Sequence, residues 1–76
     1  MDISIEYCSV WNYLPRAASL ANEILEKYGN DVKELTLIPS GGGVFEIINN
    51  GNLIFSKKSL DRFPADGEVM NLIESG

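Results

Sequence analysis

Ile5-Glu6-Tyr7-Cys8-Ser9-Val10-Trp11-Asn12-Tyr13-Leu14-Pro15-Arg16 reads as a strand end, a short loop holding the chain's only cysteine, and the first turn of a helix. Upstream, Ile3, Ile5 and Tyr7 alternate with Asp2, Ser4 and Glu6, the period of a half-buried strand over residues 2–7. Downstream, Pro15 is tolerated only in a first helical turn, so the helix begins close behind the cysteine. A thiol at a strand-to-helix junction lies near unpaired backbone N–H groups. These and the helix dipole favour the thiolate. Three residues on, where a second cysteine would complete a C-x-x-C redox pair, the chain carries Trp11.

Working outward, a helix is expected over residues 12–28. Leu14, Ala17, Ala21, Ile24 and Tyr28 form its apolar stripe, Leu20 and Leu25 widen it, and Gly29-Asn30 stops it. Residues 33–38 read as a strand with Leu35 and Leu37 on one face and Ile38 on the other. A flexible segment follows over 39–43, then a strand over 44–48. Asn49-Asn50-Gly51 is a hairpin turn signal, with the returning strand over 53–56. Residues 57–64 read as a polar loop. A final helix is expected from Asp66, as N-cap, to about Glu74, with Val69, Met70, Leu72 and Ile73 as its apolar side. The order is β-α-β-β-β-α. A right-handed crossover makes the first two strands parallel. Joined to the antiparallel ββα half, this is the minimal thioredoxin-like α/β architecture: one domain over 1–76 with a mixed four-stranded sheet in the order 2-1-3-4.

Composition narrows the chemistry. One cysteine leaves no internal disulfide, and with no histidine a Cys/His zinc site or a Cys-His or Ser-His hydrolase is excluded. The net charge of -5 opposes binding to nucleic acid or anionic membranes. No apolar run approaches a membrane span, and no signal-like segment precedes the first strand. A lone free thiol then leads to the expectation of a monomer in the reducing cytoplasm.

The ordered set of motifs resembles the selenoprotein W family, thioredoxin-like Rdx domains grouped with selenoproteins T and H. The resemblance runs through Tyr7-Cys8-Ser9-Val10-Trp11-Asn12-Tyr13 and Arg16, Gly41-Gly42-Gly43-Val44-Phe45-Glu46-Ile47, Asn50-Gly51, Leu53-Ile54-Phe55, Ser56-Lys57-Lys58 and Phe63-Pro64. It covers almost the whole chain. It implies thiol or peroxide redox chemistry with glutathione or a redox protein as partner, and no bound cofactor. It breaks at Trp11, which stands at the family's second redox position, a cysteine or a selenocysteine. Selenocysteine is encoded by UGA and tryptophan by UGG, one base away. Two accounts stay open: Trp11 replaces a native selenocysteine or cysteine, or the chain is a natural monothiol variant.

Each candidate has a blander alternative. A lone cysteine is more often a small core residue than a nucleophile, and the resemblance is what raises Cys8 above that. Trp11 is expected to be partly exposed in the loop. Ser9 and Val10 with Gly42 and Gly43 are the expected rim for a substrate or partner, although a glycine run is more simply a turn. Arg16, Lys57 and Lys58 are candidate counter-charges to a thiolate, with solvated roles as the default. Glu6 and Glu46 are candidate proton shuttles, with surface salt bridges as the default. The rival function is a non-catalytic interaction module docking a partner through the Trp11 loop and the glycine rim.

Overall fold

The computed structural model describes residues 1–75. Strand β1 (Asp2–Cys8) leads through a loop to helix α1 (Leu14–Tyr28), which ends in a 3-10 turn (Gly29–Asp31). Then follow β2 (Glu34–Ser40), β3 (Phe45–Asn49), β4 (Asn52–Ser56), a short helix α2 (Lys57–Leu60) and α3 (Glu68–Ser75). The sheet order is β2-β1-β3-β4, as expected. β1 runs parallel to β2, with Ile5 opposite Leu37 and Cys8 opposite Ser40. β3 is antiparallel to both β1 and β4.

The alternation in β1 decides which face is covered. Ile3, Ile5 and Tyr7 point into one core with Phe45, Ile47 and Phe55 from β3 and β4. The same core takes Ala17, Ala21 and Ile24 from α1, and Val69, Met70 and Ile73 from α3. Both long helices therefore lie on one face. The two alanines let α1 come close to the sheet. The opposite face carries Ser4 and Glu6 with the exposed Thr36, Ile38 and Ile48. A mixed sheet of this kind can leave one face to water.

Asn50 (φ 50) and Gly51 (φ 83) make the two-residue turn with both central residues left-handed, the geometry that matches strand twist. Pairing then shifts: Ile48 faces Leu53 and Ile47 faces Phe55. Ile54 is the extra residue, and the bulge turns both it and Phe55 toward the core. Pro39 continues β2, which the edge position permits because no second neighbour needs its missing N–H.

The structure departs from the sequence reading in several places, beginning with β2, which takes in Pro39 and Ser40 of the expected flexible segment. Helix α1 starts at Leu14 rather than Asn12, because Asn12 adopts φ 58 and its N–H turns back to the Ser9 carbonyl. Its apolar stripe is narrower than expected, with Leu14 and Leu25 exposed. The 57–64 segment is not all loop: Ser56 caps α2, its hydroxyl accepting the Ser59 N–H at 3.1 Å. Asp66 does not cap α3. The Glu68 carboxylate instead accepts the Ala65 N–H at 2.9 Å, while the Glu68 N–H donates to the Ala65 carbonyl.

Candidate functional site

β1 delivers Cys8 to the end of the sheet, where the loop folds back over it. The Cys8 N–H donates to the Val44 carbonyl at 3.0 Å, and its carbonyl accepts the Tyr13 N–H at 3.0 Å. Ser9 ties the loop to β2, donating its N–H and its hydroxyl to the Ser40 carbonyl at 2.9 and 3.2 Å. The Cys8 sulfur is fully buried (0% exposed) and accepts one hydrogen bond, from the Trp11 N–H at 3.4 Å. This corrects the picture of a thiol against a helix N-terminus: α1 begins six positions later, and the donor is a loop amide.

Above the buried sulfur the loop is strongly exposed: Val10 at 77% and Trp11 at 60%. The Trp11 indole lies across Gly43. A Cβ built on Gly43 would sit 2.3 Å from the indole Cζ3, and Gly43 has φ +73. Only glycine fits there. The structure thus joins the cysteine loop to Gly43 of the expected rim. A Cβ on Gly42 would meet open space, so that residue takes no part in this contact.

Behind Trp11 runs an aromatic ladder that had no signal in the sequence. Trp11 meets Tyr13 edge-on at 6.2 Å, Tyr13 meets Phe63 at 4.7 Å, and Phe63 meets Phe45 at 5.4 Å. The candidate counter-charges belong to this ladder. The Arg16 guanidinium stacks 4.0 Å from the Phe63 centroid, and the Lys57 ammonium lies 5.4 Å from Phe63 and 5.6 Å from Tyr13. Neither bonds to Cys8, and Lys58 is exposed on α2.

Glu46 also departs from expectation. It is buried, and its carboxylate accepts the Ser56 hydroxyl at 2.5 Å and the Lys57 N–H at 2.8 Å. Longer bonds come from the Lys58 and Phe45 amides at 3.4 and 3.3 Å. Glu46 therefore anchors the start of α2 to β3, and none of its bonds goes to Cys8. Glu6, opposite Glu46, is half-buried. Among the described residues no cluster of His, Cys, Asp and Glu side chains forms a metal site, and no helix is long and apolar enough to cross a membrane.

Fold and loop together define a thioredoxin-like domain with a single cysteine at its β1–α1 junction. Two solved structures superpose closely. A protein from Bordetella parapertussis shares 34% identity over 97% of this chain and 94% of its own, with a TM-score of 0.92. A selenoprotein W-related protein from Vibrio cholerae shares 31% identity over 97% of this chain and 92% of its own, with a TM-score of 0.91. Mouse migration and invasion enhancer 1 is 35% identical over 73 residues, which is 96% of this chain and 62% of that protein's length. The Rdx family profile matches residues 2–75, and the chain belongs to the Rdx family.

Proposed function

We propose that the protein is a small thiol or selenol redox protein in which Cys8 is the nucleophile and position 11 the resolving position, here filled by Trp11. The membership in the Rdx family supports redox chemistry of this class. The observation that carries the residue assignment is the 3.4 Å contact between the Cys8 sulfur and the Trp11 N–H, which places position 11 beside the thiol. In the reaction, the Cys8 thiolate attacks a partner disulfide. A Cys8–partner disulfide forms, and the other partner sulfur leaves as a thiolate. A thiol or selenol at position 11 would then attack Cys8, close an internal bond and expel the second partner sulfur. Indole has no sulfur to do this. In this chain the second attack falls to an external thiol, such as glutathione or a redox protein. Activity is accordingly impaired, and no bound cofactor is involved. We place this chemistry in the cytoplasm, in a monomer, with no nucleic acid or membrane partner. We also propose that the native residue at position 11 is selenocysteine or cysteine.

Installing a thiol provides the test. Trp11→Cys is expected to form an 8–11 disulfide on mild oxidation and to turn over a small disulfide substrate with glutathione faster than the parent chain, which stalls as a mixed disulfide when no external thiol is present. Absence of both the internal disulfide and turnover in Trp11→Cys sinks the assignment. A TGG codon for residue 11 in the source genome would make Trp11 natural and the chain a monothiol form.

One observation favours the interaction module as a second reading: the sulfur is buried while Val10 and Trp11 above it are exposed. That reading requires a Cys8 inert to alkylation in the folded chain and partner binding that weakens in Trp11→Ala.

A further inference from the structure

A cleft of about 290 Å³ opens between the first half of α1 and the segment leading into α3, at the far end of the aromatic ladder from Trp11. Its floor is apolar, from Leu20, Phe45, Phe63 and Met70, and its rim carries Arg16, Glu23 and Asp66. Neither Cys8 nor Trp11 lines it, although it shares Arg16, Phe45 and Phe63 with the ladder behind Trp11.

The rim charges are uncompensated. The described residues form two ion pairs, Lys27 with Glu74 and Arg62 with Glu68. Lys27, one turn from Glu23 and its natural helical partner, is turned instead to Glu74. Arg16 has its guanidinium over Phe63, 4.0 Å from the ring centroid, and no acceptor among the described residues. It also sits in the first turn of α1, which has no side-chain cap and no acidic residue. The cleft is thus lined by Arg16, from the uncapped positive end of α1, and by two carboxylates, Glu23 and Asp66.

We propose that this cleft binds a short zwitterionic peptide, its carboxylate on Arg16 and its free ammonium between Glu23 and Asp66. A tripeptide is on the scale of the backbone spacing along α1. At about 1.5 Å of rise per residue, Arg16 and Glu23 stand about 10 Å apart along α1, close to the span of about three extended residues. The aromatic floor selects an apolar central side chain. Two carboxylates against one guanidinium disfavour a ligand with a second negative charge.

An amide-resolved NMR titration with an unblocked tripeptide carrying a central phenylalanine tests this. Saturable shifts are expected at Ser19, Glu23, Gly67 and Val69, with a dissociation constant of about 1 mM. Acetylating the N-terminus or amidating the C-terminus should each weaken binding about tenfold. Arg16→Gln, which keeps much of the stem over Phe63, should lose the preference for a free carboxylate. Glu23→Gln should reduce the preference for a free ammonium. The same spectra report whether each variant is folded. No saturable shift, equal binding of the doubly blocked peptide, or shifts confined to the Cys8 loop would each overturn the proposal.

Discussion

Cys8 and Glu46 lie in the two central strands, both buried and both on the sheet face turned away from α1 and α3, yet they are held in opposite ways. Glu46 accepts four hydrogen bonds from Phe45, Ser56, Lys57 and Lys58. The Cys8 sulfur accepts one long contact from a loop amide. A buried carboxylate is tolerated only when its oxygens are satisfied, so Glu46 is spent on structure, joining β3 to β4 and α2. A thiol demands far less of its surroundings. Cys8 can be packed like a small apolar residue and still be the group at this end of the sheet with capacity left over.

The contrast fixes the largest expected effect. Glu46→Ala strands the Ser56 hydroxyl and the Lys57 amide and frees the start of α2. It should cost about 2–3 kcal/mol of unfolding free energy. Cys8→Ala, at equal burial, removes one sulfur and one weak contact and should cost about 1 kcal/mol. Urea denaturation of the two variants measures the difference. Equal losses would mean that the Cys8 sulfur is as structural as the carboxylate.

The next effect tests how the loop covers the sulfur. Gly43→Ala puts a methyl at φ +73 and into the indole, so it should lose about 1–2 kcal/mol and move the Trp11 fluorescence emission. It should also speed alkylation of Cys8 by lifting the cover. In the background of Trp11→Ala the steric part disappears, and Gly43→Ala should then cost only the backbone strain, about 1 kcal/mol. An unchanged emission spectrum in Gly43→Ala would show that the indole does not depend on Gly43 for its position.

The sequence made much of this region legible, and the reasons it failed elsewhere are specific. The 2–7 alternation, the Asn50-Gly51 turn and Pro15 are local signals, and each led to the right strand face, hairpin or helix start to within two residues. Cys8 and Trp11 are three positions apart, so their proximity could be read. Glu46 could not be read, because its partners arrive through a strand pairing ten residues on, and Ser56-Lys57-Lys58-Ser59 has no apolar period to announce α2. The Tyr13–Phe63 and Trp11–Gly43 contacts are purely tertiary: nothing near either residue in the chain specifies them. The left-handed Asn12 delays α1 and separates the thiol from the helix end that the sequence had placed beside it.

The smallest effect sets the buried carboxylate against an exposed one. Glu68 forms a two-pronged pair with Arg62, at 2.7 and 2.9 Å. The guanidinium first, and then the Ala65 N–H, draw its carboxyl down from the ordinary 4.5 to about 2. The folded state therefore holds the ionised form more firmly than the unfolded chain does. That contribution is complete above about pH 4.5 and disappears as pH falls through about 2. Glu68→Gln should accordingly flatten the loss of stability across that window in acid denaturation, and added salt should shrink the difference from the parent chain. At neutral pH its cost should be well below that of Glu46→Ala, because water screens and replaces the surface partners. If Glu68→Gln proved the more damaging of the two, hydrogen-bond satisfaction in the buried site would not be what separates these carboxylates, and the contrast between Glu46 and Cys8 would lose its physical basis.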